Sequence, residues 1–372
     1  MLKILHTGDI HLDSPFARLD AKKAQQRREE ARASFCAMLA YARKTGVDLI
    51  LMAGDVFDGE YVSRETAEML VREFARLSCP VVISPGNHDY YSPSGIWGKL
   101  RFPENVFIFR TPEVTKFTFD SLHTDVYGYA FTEAEMLQSP LSGQQVEDPH
   151  RINLLCAHGD TTSPLSRYAP LSYGEIAAFG ADYAALGHIH NAPSVDRREK
   201  TVSVYCGCLE GRAPDETGPK GAVIAEIAKE GTTAAVRAGR IRFSKRRYEN
   251  VQADCTGSDS LAALESRIRQ TVADGGYGED TLLRLTLTGE VDPLLAVDTE
   301  ALQQRFPELF SLEITDATTP ALSAAELMHD RTVRGEFYRA LLPAIESGDP
   351  HKRKIAVEAL RLGLAAMSGD RH

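Results

Sequence analysis

Five short polar motifs, each placed directly after a short apolar run, constrain the fold of this chain more than any other feature. The motifs are Asp9-Ile10-His11, Gly54-Asp55-Val56-Phe57-Asp58, Gly86-Asn87-His88-Asp89, His158-Gly159 and Gly187-His188-Ile189-His190. The preceding runs, at residues 2–6, 47–53, 81–83, 152–157 and 183–186, have the length and composition of buried strands. Open α/β sheets bind their ligands beyond the carboxyl ends of their strands. The pattern therefore predicts that the motifs surround a ligand site.

The runs alternate with amphipathic helices, which is typical of an α/β fold. One helical face is marked by Ala31, Phe35, Met38, Leu39 and Ala42. From about residue 200 the chain changes to closely spaced β-like runs at 202–206, 222–227 and 233–244, which indicate a second sheet layer in the same domain. Since 372 residues exceed what one hydrophobic core usually serves, we expect further domains downstream.

The downstream part reads as a small α+β module followed by helices. Strands are predicted near 248–254, 282–287 and 309–314, with a helix carrying Leu264 and Ile268 between the first two. The predicted division is 1–245 for a catalytic domain, 246–320 for a cap domain and 321–372 for a helical segment. The last helices carry two apolar stripes: Val333, Phe337 and Leu341, and Ile355, Ala359, Leu362 and Ala366. These stripes predict either docking on a partner or packing on the chain's own cap module.

Charge and hydropathy limit the class of protein. The formal net charge is −10, which disfavours a protein that coats nucleic acid through bulk electrostatics. Catalysis on DNA is not excluded, because bound metal ions reverse the local sign of a carboxylate cluster. No run approaches the roughly 20 apolar residues of a membrane-spanning helix, and no signal peptide is recognisable. We therefore expect a cytoplasmic protein without a membrane association.

The residue types of the motifs are those of a metal site. Each motif alone has an ordinary explanation as a turn, a loop or a structural histidine. Together they hold five of the eleven histidines: His11, His88, His158, His188 and His190. Imidazole, carboxylate and amide groups suit borderline and harder divalent ions, and the lack of cysteine argues against a closed structural zinc site. Seven potential ligands are too many for one ion and suit two ions about 3.5 to 4 Å apart.

The order of the motifs resembles that of the calcineurin-like metallophosphoesterase superfamily. The opening segment 4–16, with the motifs at 54–58 and 86–89, is similar to the SbcD/YhaO branch of DNA repair exonucleases. The resemblance covers residues 1–190 and is weaker over 245–372. It implies a two-sheet β-sandwich flanked by helices, with a small α+β cap domain. It also implies C-terminal helices that dock on an SMC-like ATPase with long coiled coils.

The resemblance also implies a role for each motif residue. Asp9, His11 and His190 would hold one metal ion, and Asn87, His158 and His188 a second, with Asp55 between them. His88 would not be a ligand but would assist departure of the leaving oxygen, and Asp58 would orient it. Some related double-strand-break nucleases have a histidine in place of Asp58, so the balance of exonuclease and endonuclease action stays open.

The function implied is a manganese-dependent DNA nuclease acting as the nuclease subunit of an ATPase complex. Two alternatives remain: a phosphatase or cyclic-nucleotide phosphodiesterase with the same binuclear site, and a non-catalytic scaffold subunit. Arg167, Arg197 and Arg198 flank the last motifs and are candidates for contacts with the DNA backbone, although loop arginines are often only solvated. Iron or zinc in place of Mn²⁺, and formation of a homodimer, stay open.

Overall fold

The chain divides into two units, Met1–Arg247 and Tyr248–His372. This division is seen in a computed structural model, which describes residues 1–59, 61–191, 195–292, 295–321 and 324–367. The first unit ends close to the predicted domain boundary at residue 245. The predicted further division of the second unit at residue 320 stays a prediction.

Twelve short strands build two six-stranded sheets in the first unit. In chain order they are β1 (Leu2–Thr7), β2 (Leu49–Met52), β3 (Val81–Ile83), β4 (Val106–Ile108), β5 (Thr115–Phe119), β6 (Thr124–Gly128), β7 (Ile152–His158), β8 (Tyr183–Gly187), β9 (Asp196–Arg198), β10 (Thr201–Tyr205), β11 (Gly221–Glu230) and β12 (Thr233–Arg242). The first sheet has the order β12-β11-β1-β2-β3-β4, and the second has the order β5-β6-β7-β8-β10-β9.

Parallel pairing brings the motif-bearing strand ends to one edge of each sheet. In the first sheet β1 to β4 are parallel, with Ile4 opposite Leu49 and Ile50 opposite Val81. In the second sheet β6, β7, β8 and β10 are parallel. The strands β11, β12, β5 and β9 pair antiparallel with their neighbours.

The assignment of the runs after residue 200 to one second sheet layer is wrong. Only β10 lies in the second sheet, whereas β11 pairs antiparallel with β1 and carries β12 at the edge of the first sheet. The reason is that the chain crosses from the second sheet to the first between β10 and β11, and a local sequence pattern does not predict which sheet a strand joins. The second sheet instead begins at β5 and β6, two strands that the apolar runs did not reveal.

Helices cover the outer faces of the sheets: α1 (Ala21–Thr45), α2 (Arg64–Ala75), α3 (Ile96–Lys99) and α4 (Tyr173–Phe179). Helix α1 begins at Asp20, whose carboxylate accepts the Lys23 main-chain N–H, and ends at Gly46 in the left-handed region. Its predicted apolar face, including Phe35 and Met38, is buried against the first sheet. A second apolar layer fills the space between the sheets. The predicted fold, a two-sheet sandwich flanked by helices, is confirmed.

The second unit contains a three-stranded sheet and a group of helices. Its elements are β13 (Arg247–Asp254), α5 (Leu261–Asp274), β14 (Thr281–Thr288), β15 (Glu290–Val291), α6 (Thr299–Gln303), β16 (Ser311–Asp316), β17 (Thr319–Pro320), α7 (Ala324–His329), α8 (Val333–Ile345) and α9 (Pro350–Met367). Helix α5 packs Leu264 and Ile268 against Leu285 of the central strand β14. This is the predicted α+β arrangement.

The last helices have a small core of their own. Tyr338 of α8 packs with Leu360 and Leu364 of α9, and all three are buried. Ile355 and Leu362, which belong to the predicted stripe on α9, are 57% and 60% exposed. Residues 322–323 and 368–372 of the predicted docking segment lie outside the described residues. Within the described ranges, no helix has the length and apolar character needed to cross a membrane.

Candidate metal centre

The motif residues lie where parallel strands of both sheets end. Asp9, Asp55 and Asn87 stand on the loops that follow β1, β2 and β3, and His158 is the last residue of β7. His188 directly follows the end of β8, and His190 lies two residues further along the chain. Two adjacent sheets therefore contribute side chains to the same edge, as the strand-end pattern predicts.

The loops carrying these residues are held in strained conformations. The main-chain N–H groups of Asp9 and His11 donate to the carbonyl oxygens of Gly54 and Asp55, both at 3.0 Å. Asp9, His11, Asp55 and His188 have φ angles of 47°, 48°, 51° and 107°, each costing on the order of 1–3 kcal/mol in a residue with a side chain. Such strain persists only when the surrounding structure imposes it, so the side-chain directions are fixed by the fold.

A buried carboxylate, that of Asp89, ties two of the loops together. It accepts the main-chain N–H groups of Gly86 at 2.8 Å, Asp55 at 3.2 Å, Val56 at 2.8 Å and Phe57 at 3.3 Å. Burial, together with the nearby charge of Asp55, raises the pKa of Asp89 to about 7. The sequence contains Asp89 in a motif but does not reveal this role. Asp89 shapes the loop from which Asp55 projects.

Two motif glycines are required by close approach. A Cβ atom at Gly86 would lie 2.2 Å from Oδ1 of Asp55, and one at Gly54 would lie 2.4 Å from Nδ1 of His158. Gly54 also has a φ of 84°, in the left-handed region that favours glycine. The glycines of these motifs therefore make room for the polar side chains rather than contributing chemistry.

The polar side chains converge on Asp55 and Asp9. One group of ligand atoms, from Asp9, His11 and His190, and a second, from Asp9, Asp55 and His158, each lie within 4.8 Å of one another. Oδ2 of Asp55 is 3.7 Å from Nε2 of His11 and 3.5 Å from Nε2 of His158. Oδ1 of Asn87 is 2.9 Å from the same nitrogen of His158. Asp55 therefore lies between two sets of ligands.

The hydrogen bonds of two histidines show which nitrogen carries the proton. Nδ1 of His158 faces the carbonyl oxygen of Ala53 at 2.9 Å, and Nδ1 of His190 faces the Glu216 carboxylate at 2.5 Å. Since both partners only accept, Nδ1 is the donor, and in the neutral ring Nε2 then presents a lone pair. Nε2 of His190 then points at Nε2 of His11 at 3.2 Å. The Nε2 lone pairs of His158 and His190, together with the buried carboxylates, are a donor set that a divalent cation satisfies.

The charges in the site also fit metal binding. Asp9 and Asp55 are buried, and neither forms an ion pair with a lysine or arginine among the described residues. Burial raises the pKa of Asp9, and it lowers the pKa of His11 well below its usual range and that of His188 to about 4. The imidazoles of His11 and His188 are therefore neutral at pH 7, which is the form that binds metal.

The sequence model of the family described as "Calcineurin-like phosphoesterase" matches residues 2–192, just over half of the chain. The chain belongs to the calcineurin-like phosphoesterase family. Membership implies divalent metal ions, and the residues just described have the ligand types and arrangement to hold them.

Curated relatives extend the match beyond the family domain. The chain is 28% identical to "Uncharacterized metallophosphoesterase YhaO" of Bacillus subtilis over 307 residues, covering 77% of this chain and 72% of that protein. It is 24% identical to "DNA double-strand break repair protein Mre11" of Halobacterium salinarum over 317 residues, covering 81% and 74%. It is also 24% identical to the SbcD subunit of nuclease SbcCD of Staphylococcus epidermidis over 227 residues, covering 52% and 58%. The predicted resemblance to the superfamily and its SbcD/YhaO branch is confirmed.

In this phosphoesterase centre His88 lies at the rim. Its side chain is 43% exposed, and its ring packs edge-on against that of His11 with the centroids 4.9 Å apart. Nδ1 of His88 is 3.3 Å from the carbonyl oxygen of Asp58 and 3.9 Å from its carboxylate. His11, Asp58 and His88 form a third group of ligand-type atoms within 4.8 Å of one another. The predicted orientation of His88 by Asp58 stays a prediction.

The carboxylate of Asp58 has nearer neighbours than His88. Its Oδ1 lies 3.0 Å from Nδ1 of His11 and pairs with the guanidinium of Arg212. Despite this short distance, Nδ1 of His11 has no hydrogen-bond partner among the described residues. Asp58 therefore stands behind a candidate metal ligand as well as beside His88.

Arg212 and Glu216 are residues of this centre that the sequence did not reveal. Both lie between β10 and β11, outside the five motifs. Glu216 is buried and bonds His190, and its contact with that imidazole outweighs burial and lowers the pKa of Glu216. The pKa of His190 is raised despite its burial, because the hydrogen bond to Glu216 favours the charged ring. A glutamate 26 residues after a motif histidine gives no recognisable pattern.

The three candidate DNA contacts lie in different places. Arg167 pairs with Glu135 at 2.5 Å, next to Tyr168, whose ring packs on that of His188 with the centroids 5.1 Å apart. Arg197 and Arg198 lie on β9, where Arg198 is opposite Thr201 at the start of β10. The candidate metal ligands lie beyond the other end of the parallel strands, on the order of 13 Å further along the sheet. Arg167 is therefore beside the centre, and the β9 pair is not.

Proposed function

We propose that this phosphoesterase is a nuclease that hydrolyses DNA phosphodiesters with two divalent metal ions, of which Mn²⁺ is the proposed species. The observation that carries the proposal is the convergence of carboxylate, imidazole and amide ligands on Asp55 from two sheets. Two ions in such a site would activate a water molecule and bind the phosphate.

The proposed ligands fall into two sets around Asp55. Asp9, His11 and His190 would hold the first ion, and Asn87, His158 and His188 would hold the second, with Asp55 shared. His88 lies outside both sets, is exposed, and has a ring that can donate a proton to the departing oxygen. A complete set of ligands supports an enzyme over a non-catalytic scaffold.

DNA is the proposed substrate because two relatives bear names of nuclease or DNA repair proteins. The same centre suits a phosphatase or a cyclic-nucleotide phosphodiesterase, since two metals recognise any phosphoester. Arg167, exposed beside the ring that packs on His188, is the candidate for a backbone phosphate contact. We propose that Arg197 and Arg198 contact DNA only when the duplex is long enough to extend from the metal centre to β9.

We also propose that the last helices dock on an SMC-like coiled-coil ATPase. The stripe on α9 supports this, because Ile355 and Leu362 are exposed while Leu360 and Leu364 fill the core between the helices. A helix that exposes a second apolar face suits a partner that buries it. Formation of a homodimer and a cytoplasmic location stay predictions from the sequence.

A substrate panel tests the proposed function. Linear duplex, single-stranded and hairpin DNA would be incubated with the protein and Mn²⁺, beside bis(p-nitrophenyl) phosphate and p-nitrophenyl phosphate. Cleavage of DNA that exceeds turnover of both small esters at equal concentration is expected. Preference for a small ester would overturn the nuclease proposal but would not affect the assignment to the phosphoesterase family.

The number of bound metal ions is a second test. Elemental analysis after Mn²⁺ loading should give close to two ions per chain, and Asp55→Asn should reduce that number.

A further inference from the structure

The two proposed sets of metal ligands differ in what lies behind their histidines. Behind the first set stand two carboxylates: Oε1 of Glu216, 2.5 Å from Nδ1 of His190, and Oδ1 of Asp58, 3.0 Å from Nδ1 of His11. Behind the second set, Nδ1 of His158 forms its hydrogen bond with the carbonyl oxygen of Ala53 at 2.9 Å, and Oδ1 of Asp9, a proposed ligand of the first set, lies further away at 3.9 Å. The first set is therefore backed by two carboxylates, of which Glu216 forms a hydrogen bond and Asp58 is paired with the guanidinium of Arg212, whereas the hydrogen bond behind the second set goes to a neutral carbonyl group.

The remaining histidine of the second set has no such support. Among the described residues no hydrogen bond reaches the ring of His188, which packs on the rings of Tyr168 and His158 and interacts with the carboxylate of Asp160 only through its charge. The third ligand of that set, Asn87, is itself neutral. Among the described residues, then, no carboxylate forms a hydrogen bond with a histidine of the second set, whereas Glu216 does so in the first.

One residue holds both of the carboxylates behind the first set. The main-chain N–H of Arg212 donates to Oε2 of Glu216 at 2.6 Å, and its guanidinium pairs with Asp58. Both oxygens of Glu216 are thereby engaged, Oε1 by His190 and Oε2 by Arg212. The carboxylate of Glu216 cannot turn away from His190 without breaking the second bond.

The segment that carries Arg212 and Glu216 is itself fixed. Arg27, fully buried on α1, donates to the carbonyl oxygen of Gly211 at 3.0 Å. Asn191, which follows His190, donates to the carbonyl oxygen of Asp215 at 2.6 Å. The glutamate and the histidine that it contacts are therefore tied to the same segment, which is the condition for an outer group to set the direction of a ligand.

We propose that Glu216 is a positioning residue that makes the site formed by Asp9, His11 and His190 the tighter of two metal positions. The inference rests on the proposed ligand sets. A carboxylate that accepts the Nδ1 proton makes Nε2 a better donor to a metal ion and adds negative charge close to the cation. A carbonyl group that accepts the same proton strengthens Nε2 as a donor to a smaller extent, and it adds no negative charge near the cation. At limiting Mn²⁺ the first position then fills before the second.

Metal binding without substrate tests the inference. Mn²⁺ would be titrated into metal-free protein, with the free ion followed by electron paramagnetic resonance. Wild type is expected to show two ions per chain in two affinity classes. Glu216→Gln removes the charge but keeps the shape, and should weaken the tighter class by roughly 10- to 100-fold. Glu216→Asp restores the charge and should recover part of the affinity.

The matched control is Asp215→Asn, which changes the same charge at the neighbouring, exposed position. Its Mn²⁺ affinities should equal those of wild type. Equal affinities in Glu216→Gln and wild type, or a loss confined to the weaker class, would overturn the inference. Binding of a single ion by wild type would instead overturn the proposed two-metal site on which the inference rests. If Glu216→Gln does not fold, the Mn²⁺ affinity of Glu216→Asp alone tests the inference. An affinity of Glu216→Asp equal to that of wild type would contradict a role for the position of the carboxylate.

Discussion

At the scale of single residues, exposure separates His88 from the other motif histidines. Replacing His88 with glutamine should lower kcat by about 100- to 10,000-fold, because an amide cannot give a proton to the leaving oxygen. Both metal ions should stay bound, since His88 lies outside both ligand sets. The measurements are kcat on linear DNA and the Mn²⁺ content of the loaded variant. Loss of one equivalent of metal would make His88 a ligand, as its place in the third group of ligand-type atoms allows.

Asp58 has two contacts through which it could act, and a double mutant separates them. If Asp58 works only by orienting His88, Asp58→Asn should cost nothing further in the His88→Gln background. If it works through Nδ1 of His11, 3.0 Å away, Asp58→Asn should weaken Mn²⁺ binding in either background. Single Asp58→Asn should reduce kcat less than His88→Gln does. An effect larger than that of His88→Gln, without any change in metal affinity, would contradict both routes.

A buried histidine outside the site makes stability depend on pH. His6 is fully buried, with Nδ1 2.9 Å from the hydroxyl of Tyr183. Burial, aided by the charge of Arg240, lowers the pKa of His6 to about 3, although a main-chain hydrogen bond opposes this. In the unfolded chain the ring takes up its proton near pH 6.5. Below that pH the unfolded state binds more protons, so folding stability falls, by about 2 kcal/mol at pH 5 from this residue.

His6→Gln checks this, because the substitution removes the titrating group. The variant should be less stable than wild type at pH 7, where the contact of His6 with Tyr183 stabilises the wild-type protein. The difference in free energy of unfolding between the two proteins should become smaller as the pH falls from 6.5 to 4.5. The measurement is the urea midpoint across that range, with a chelator present so that metal binding does not contribute. Parallel curves for the two proteins would show that His6 is not the group that titrates.

At the scale of elements, most of the predicted strands have a continuous apolar sequence, and a strand of mixed sequence escaped prediction. The run 81–83 coincides with β3, and 152–157 falls one residue short of β7. By contrast β5, with the sequence TKFTF, is partly exposed. Its lysine and threonines interrupt the apolar residues, so the sequence contains no apolar run that would predict a strand there. The pairing of β11 with β1 joins residues more than two hundred positions apart, and no local pattern contains that information.

The centre shows the same division between local and distant information. The seven proposed ligands stand in motifs because each lies at a strand end or within a few residues of one, with a glycine beside it where space is short. Arg212 and Glu216 act from a loop whose position depends on a contact with α1. Their contribution is set by tertiary structure, so the sequence around them carries no periodicity or spacing that would have marked them.

That contact with α1 gives a prediction about the element as a whole. Arg27 pairs with Glu210 at 2.9 Å and Glu30 at 2.8 Å, and the Arg27 and Glu210 side chains are each 1% exposed. Arg27→Met would leave the Glu210 charge buried without its partner, which typically costs 3–5 kcal/mol. The first unit should unfold at a lower urea concentration, and Mn²⁺ affinity should fall with the displaced loop. Arg28→Met, the same change one residue along the helix, should alter neither.

A second substitution shows whether the loss comes from the uncompensated charge. Glu210→Gln added to Arg27→Met removes that charge and should recover part of the stability. Ser34 and the main-chain N–H of Lys245, which donate to Glu210 at 2.6 Å each, can still donate to the amide oxygen. If the double variant is no more stable than Arg27→Met, the cost lies in lost packing rather than in electrostatics.

At the scale of the whole molecule, the proposed catalytic residues belong to the first unit and the exposed apolar stripe to the second. The double substitution Ile355→Glu with Leu362→Glu puts charge on the outer face of α9 and leaves Leu360 and Leu364 in the core. Co-expression with an SMC-like ATPase should then yield no complex, whereas Mn²⁺-dependent cleavage by the isolated chain should be unchanged. Arg353→Gln with Lys354→Gln gives the same change in net charge at exposed positions off the stripe, and that variant should still form the complex. Deletion of residues 321–372 should reproduce the loss, and a complex that survives both changes would place the docking surface elsewhere on the chain.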